Sequence, residues 1–282
     1  MKTQKITAAT IDKVRELFQA NNWPLDIATP SSLFNRFVNF LGRLTQDEQV
    51  FFIELTHKFL YIPFEKYPEA LKPAILELLK HYSKKDLVVV NCLCLKDYGK
   101  SKSPFLISYL FRGLSLLYGG EYNIHVAQDI HAFHKVSLSA LKNKVVVIVD
   151  DFIGSGETAV GTCKEIMASL EANKVTGDEV LPKFVCLAIV ALEAGVNALK
   201  ELNVETYATH VLNKAISSVT DDAERQRQSS LMDSIEGRLE KFNAENRFGY
   251  RGSEALVSLE RCPNNTFPAY WLTKDAPFYR FG

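Results

Sequence analysis

The chain has 282 residues, 47% of them hydrophobic, with 33 Lys and Arg balancing 33 Asp and Glu. That length allows one large domain, or a domain with an added lobe. A formal charge of zero gives no overall field to gather nucleic acid, and no apolar run approaches the ~20 residues a membrane span needs.

Residues Thr7 to about Tyr82 read as helices. Phe51, Phe52, Leu55, Phe59 and Leu60 form one apolar stripe, and Leu71, Ile75, Leu78, Leu79 and Tyr82 form another. Pro24, Pro30, Pro63, Pro68 and Pro73 punctuate these helices, mostly near their starts. No cluster of chemically active side chains stands out here. The segment 1–85 is expected to be an N-terminal helical lobe, packed on the core or facing a protein partner.

From Leu87 the pattern alternates. Strands are expected at Leu87–Leu95, Tyr122–Val126, Val145–Val149, Phe184–Ala191 and Val204–Leu212, with helices at Ser103–Tyr118, Glu157 to about Asn173, and Glu193–Leu202. Such alternation predicts an α/β domain over 86–215, a mostly parallel sheet with helices on both faces. A mixed C-terminal extension, 216–282, follows. It holds a polar helix from Asp221 to Phe242 and a short strand from Ala255 to Leu259. Five cysteines, with no CxxC pair, fit a reducing cytosol. Cys92, Cys94 and Cys186 fall in strand-like segments, as small buried hydrophobes. After Met1-Lys2-Thr3-Gln4-Lys5 the sequence is mixed and helical rather than a signal-peptide core, so a cytoplasmic protein is expected.

The segment Val145-Val146-Val147-Ile148-Val149-Asp150-Asp151-Phe152-Ile153-Gly154-Ser155-Gly156-Glu157-Thr158 carries the most information. Five consecutive β-branched residues predict a strand buried on both faces. Two carboxylates stand where that strand would end. A Gly-Ser-Gly turn and a helix come next, with Val160, Cys163, Met167 and Leu170 at helical spacing. A helix N-terminus suits a phosphate, glycines let backbone approach it, and Ser155 and Thr158 add hydroxyl donors. Asp150 and Asp151 are acceptors, suited to sugar hydroxyls or a metal-bound water shell. Ribose 5-phosphate satisfies both halves. A βα turn whose acids merely cap the helix is the plainer alternative.

This segment resembles the phosphoribosyl-diphosphate (PRPP) motif of type I phosphoribosyltransferases: a hydrophobic strand, two acids, two mostly apolar residues and a Thr-Gly-x-Thr-like loop. The resemblance implies that Asp150 and Asp151 hold the ribose hydroxyls and that Gly154, Ser155, Gly156, Glu157 and Thr158 cradle the 5-phosphate. It also implies Mg²⁺, held through Asp150 and Asp151 by way of water. Gly154 stands where the purine-salvage branch carries an aspartate, which argues against hypoxanthine or guanine as acceptor. From Leu87 through Trp271 the chain is similar to bacterial phosphoribosyltransferase-like proteins of conflict and defence gene clusters.

Other candidates lie outside this motif. Lys96-Asp97-Tyr98-Gly99-Lys100-Ser101-Lys102-Ser103 is similar to a Walker A loop, but Cys94 stands where its first glycine is needed. Two lysines and two serines before a helix suit a second anion, and the corresponding loop of the family contacts diphosphate. Lys100, Ser101 and Lys102 are therefore assigned to diphosphate, with Lys100 in the catalytic set beside Asp150 and Asp151, and Arg112 as a further candidate. His131 and His134 read as ordinary surface or loop residues. The alternative that the family implies puts His131 or Lys135 on its covering loop instead. Asn264 and Asn265, between Pro263 and the Tyr270-Trp271 pair, either read an acceptor's edge or belong to a plug burying Phe267, Tyr270 and Trp271.

The expectation is a Mg²⁺-dependent phosphoribosyltransferase-like protein. The rival is a PRPP or nucleotide sensor on the same fold, acting through a partner protein. A nucleotide hydrolase using Lys100 comes third.

Overall fold

The computed structural model describes residues 6–82, 86–92, 103–118, 123–127, 138–174, 180–240 and 242–279. The chain divides into two compact units, residues 1–63 with 213–282, and residues 64–212. The expected boundaries at 85/86 and 215/216 thus differ from the observed ones. Both chain ends share one unit, and residues 64–85 join the sheet.

The first unit opens with α1 (Ala8–Ala20), α2 (Leu33–Leu41) and α3 (Gln46–Thr56), whose N-termini are capped by the side chains of Thr7, Ser32 and Thr45. At α3 the cap is reciprocal, because Glu48 returns a bond to the Thr45 backbone. The two-residue strand β1 (Leu60–Tyr61) follows.

The second unit begins with α4 (Tyr67–His81). Pro73 lies inside this helix rather than near its start, and its missing N–H costs one helical bond. Burial of Leu71, Ile75, Leu78 and Leu79 holds the helix together, and it packs against β5, β6 and α5, defined below. That apolar stripe therefore faces the sheet of its own unit. Next come β2 (Asp86–Asn91), α5 (Ser103–Tyr118), β3 (Ile124–Ala127), β4 (Lys144–Ile153), α6 (Glu157–Ala172), β5 (Lys183–Leu192), α7 (Glu193–Lys200) and β6 (Glu205–Leu212). All strand pairs are parallel, in the order β3-β2-β4-β5-β6. The expected α/β class with a mostly parallel sheet is the observed one.

The chain then returns to the first unit with α8 (Asp222–Glu236), capped by the Asp221 side chain, and β7 (Val257–Ser258), parallel to β1. Helix α8 ends at Glu236, short of the expected Phe242, and the expected strand 255–259 shrinks to two residues. Segments from both chain ends share one aromatic core. Tyr270 stacks on Phe52 at 4.6 Å, Phe278 stacks on Phe59 at 4.5 Å, and the Tyr270 and Thr56 hydroxyls lie 2.9 Å apart. Among the described residues, no helix is long and apolar enough to cross a membrane.

Glu236, at the end of α8, is fully buried and accepts from the Phe248 N–H at 2.9 Å. Burial pushes its carboxyl from 4.5 up to about 8. A raised folded-state pKa gives stability that is fully present below the unfolded value and lost as pH rises through the folded one. Thermal melts should therefore show the melting temperature falling between pH 5 and pH 9, by on the order of 5 °C. Glu236→Gln should flatten that slope.

Candidate functional site

Strand order reverses between β2 and β4, since β3 lies on one side of β2 and β4 on the other. In an open α/β sheet, the carboxyl ends of the two strands flanking such a reversal border a crevice suited to ligands. Asp150 and Asp151 lie at that end of β4. They belong to the strand, which runs on to Ile153, rather than following it as expected. The reason is that residues beyond the acids still pair in register, Phe152 with Val190 and Ile153 with Ala191 of β5. The central run Val145–Val149 is buried, as five β-branched residues between two neighbouring strands require.

The two carboxylates are held differently. The Asp151 N–H donates to Asp150 Oδ1 at 2.9 Å, so the pair is locked by its own backbone. Asp151 is mostly buried, and its Oδ2 accepts from the Tyr67 hydroxyl at 3.0 Å. Asp150 keeps part of its surface open. Even so, desolvation first, and then the charge of Asp151, pushes its carboxyl well above the usual range. Beside it, at the end of β2, the Cys92 N–H donates to the Val149 carbonyl at 3.0 Å. Burial pushes the Cys92 thiol up, and the Asp150 charge adds to this. Cys163 and Cys186 are likewise buried, as structural thiols.

The turn after β4 is shaped by two glycines facing each other. Gly156, the N-cap of α6, has φ 83°, a left-handed conformation that side-chain-bearing residues rarely adopt. As N-cap, Gly156 brings no side-chain cap to α6, and α4 and α7 likewise lack one, whereas α1, α2, α3 and α8 have it. The positive end of α6 meets the loop there, with Glu157 the acidic residue of its first turn. Gly195, in the first turn of α7, closes in from the adjacent βα connection. A Cβ there would lie 2.5 Å from the Gly154 carbonyl oxygen and 2.9 Å from Ile153 Cγ2. Only a residue without a side chain lets α7 support the Gly154–Gly156 turn this closely.

Of the residues read from sequence, Asp150, Asp151, Gly154, Ser155, Gly156, Glu157 and Thr158 come together at the β4–α6 junction. Gly154 and Ser155 are half-buried, Gly156 is buried, and Glu157 and Thr158 are exposed in the first turn. Lys100, Ser101 and Lys102 lie outside the described residues, as do Cys94, His131, His134 and Lys135. Arg112 is an exposed residue of α5, about 14 Å of helical rise beyond Ser103. Asn264 and Asn265 belong to the other unit. Asn264 is exposed, and its carbonyl accepts from the Tyr250 N–H. The Asn265 side chain is buried and donates to Ser253 Oγ at 3.1 Å. Phe267 and Tyr270 are fully buried there, as the plug reading expects, while Trp271 is partly exposed.

Sequence reasoning missed Tyr67 and Gly195. Tyr67 sits 84 positions before its carboxylate, in a segment expected to be a separate lobe. Gly195 lies two residues into a short helix after a strand. A glycine in that place is the one signal that could have marked a close approach.

An open parallel sheet with an acid pair and a glycine turn at its reversal point is the arrangement that the resemblance of residues 145–158 to the phosphoribosyltransferase motif implies. A family model, PRTase-CE, matches residues 35–280, and the chain belongs to that type I phosphoribosyltransferase-like family. Among solved structures, purine phosphoribosyltransferase from Pyrococcus horikoshii Ot3 is 17% identical, with 54% of this chain and 85% of that one covered and a TM-score of 0.30. The AQ2163 protein from Aquifex aeolicus is 13% identical, with 74% and 86% covered and a TM-score of 0.30. No curated protein matches the chain.

Two expectations follow from the geometry. Gly195→Ala should cost about 1–3 kcal/mol in urea unfolding, because overpacking against backbone cannot relax, whereas Gly113→Ala in α5, whose Cβ meets nothing within 4 Å, should be neutral or stabilising. A double-mutant cycle of Tyr67→Phe with Asp151→Ala should show a coupling of about 1 kcal/mol or more. Additive effects would mean that the hydroxyl contributes nothing through Asp151.

Proposed function

We propose that the chain binds PRPP, or a related ribose 5-phosphate ligand, at the β4–α6 junction. It transfers the phosphoribosyl group from PRPP to an acceptor with release of diphosphate. The observation that carries this reading is the α6 N-terminus at Gly156, an N-cap residue that brings no side chain of its own, five residues after the second of two carboxylates at the carboxyl end of β4. The Gly154–Thr158 backbone and hydroxyls take the 5-phosphate. Asp150 and Asp151 accept from the ribose 2′ and 3′ hydroxyls, and Tyr67 fixes Asp151 from behind.

In the transfer, the acceptor's nucleophilic atom forms a bond to C1 of the ribose. The C1–O bond to diphosphate breaks, its electron pair leaves on diphosphate, and any proton on the acceptor is released. Lys100, Ser101 and Lys102, in the segment between β2 and α5, take the diphosphate end. The residues present fit Mg²⁺. Among the described residues no three His, Cys, Asp or Glu side chains converge as a protein-only metal site, and Mg²⁺ is commonly bound by one or two carboxylates, substrate phosphates and retained waters. Asp150 and Asp151 would hold it through water, and its charge would offset that building on the departing diphosphate.

A second reading is a PRPP or nucleotide sensor that acts with a protein partner, in a bacterial defence system. It is favoured by the size of the other unit, to which residues 1–63 and 213–282 both contribute. Diphosphate release from PRPP distinguishes transfer from sensing.

A thermal-shift series with PRPP and ribose 5-phosphate, each with and without Mg²⁺, tests the shared premise. PRPP with Mg²⁺ should raise the melting temperature of the wild type, and Asp150→Asn/Asp151→Asn should abolish the shift. Equal shifts in both proteins would refute binding at the acid pair.

A further inference from the structure

At the opposite end of the sheet, a cavity of about 590 Å³ opens beside the amino ends of β4 and β5. It is lined by Lys142, Lys144 and Lys183 together with Leu138, Leu141 and Tyr82. Lys144 begins β4 six residues before Asp150, so along the strand the two lie about 20 Å apart. The cavity is therefore separate from the acid pair.

Among the described residues its charges do not cancel. Lys183 is paired with Glu205 at 2.9 Å, and that carboxyl is held down to about 2, first by Lys183, so this pair stays ionised and neutral overall. Lys142 and Lys144 have no ion-pair partner among the described residues. Asp86 stands beside Lys144 in the strand register, but its Oδ1 accepts from Asn123 at 3.3 Å and no ion pair to Lys144 forms. Asn143, between the two lysines, has φ 66° in the left-handed region, a conformation asparagine tolerates better than most residues.

The remaining wall is apolar and aromatic. Leu138 and Leu141 are buried. The Tyr82 hydroxyl donates to Glu205 Oε2 at 2.9 Å, which anchors the ring. A fixed aromatic ring and leucine side chains suit a flat heterocycle, and two ammonium groups with no ion-pair partner among the described residues suit a phosphate. The volume lies in the range of small-molecule sites.

We propose that this cavity is a second ligand site that takes a nucleotide, its phosphate on Lys142 and Lys144 and its base against Tyr82 and the leucines. Calorimetric titration should be done in the Asp150→Asn/Asp151→Asn background, so that binding at the acid pair does not contribute. ADP and AMP should bind that variant, and adding Lys142→Ala/Lys144→Ala should weaken them at least about tenfold. Lys142→Arg/Lys144→Arg, which keeps both charges, should retain most of the affinity, and circular dichroism should show each variant folded. Adenosine and inorganic phosphate should each bind more weakly than AMP. The proposal is overturned if neither nucleotide binds the acid-pair variant, if the alanine changes leave binding intact, or if inorganic phosphate binds as tightly as AMP. Because the titration is made without the acid pair, none of these outcomes bears on PRPP binding at β4–α6.

Discussion

Two backbones approach each other at the carboxyl end of the sheet, and neither can carry a side chain there. Gly156 turns left-handed to start α6, while Gly195 in α7 lies against the Gly154 carbonyl and Ile153. This contact fixes where the β4–α6 turn sits and which way the first amides of α6 face. The buried β4 run positions the acids, but the glycine contact positions the α6 N-terminus that follows them. The two halves of the candidate site therefore depend on different parts of the sheet unit, β4 between its neighbours and α7 beside α6.

The acid pair shows how neighbours decide chemistry that residue type alone leaves open. Asp150 and Asp151 are adjacent and chemically identical, yet one accepts from the Tyr67 hydroxyl and the other from its neighbour's backbone N–H. Desolvation and the second charge favour a proton on Asp150 when the pair stands alone. A cation or a set of sugar hydroxyls arriving at the pair favours the ionised form.

Much of the sheet unit was legible in the sequence because its signals are local. An unbroken β-branched run marks a strand covered on both faces, and the Gly-Ser-Gly turn before a helical repeat marks the junction. Helix α5 appears with its expected ends, and α6 differs by one residue. What was not legible depends on contacts between distant residues. The stripe Leu71–Leu79 announces a buried helix face but not what buries it, so the sequence leaves open whether the core or a partner covers α4. The reach of Tyr67 to Asp151, and the use of Asn265 within its own unit, likewise have no local signature. Strand β7 escaped accurate bounds because a two-residue pairing with β1 leaves almost no periodicity to read.

The sheet unit is inserted between the two halves of the other unit, and the aromatic core of that unit closes only when Tyr270 and Phe278 meet Phe52 and Phe59. During synthesis on the ribosome, residues 64–212 emerge complete while the first sixty wait for their partners. Domains generally fold as units as they emerge. The inserted sheet can thus acquire its structure first, and the unit built from both chain ends is completed only when residues 213–282 arrive.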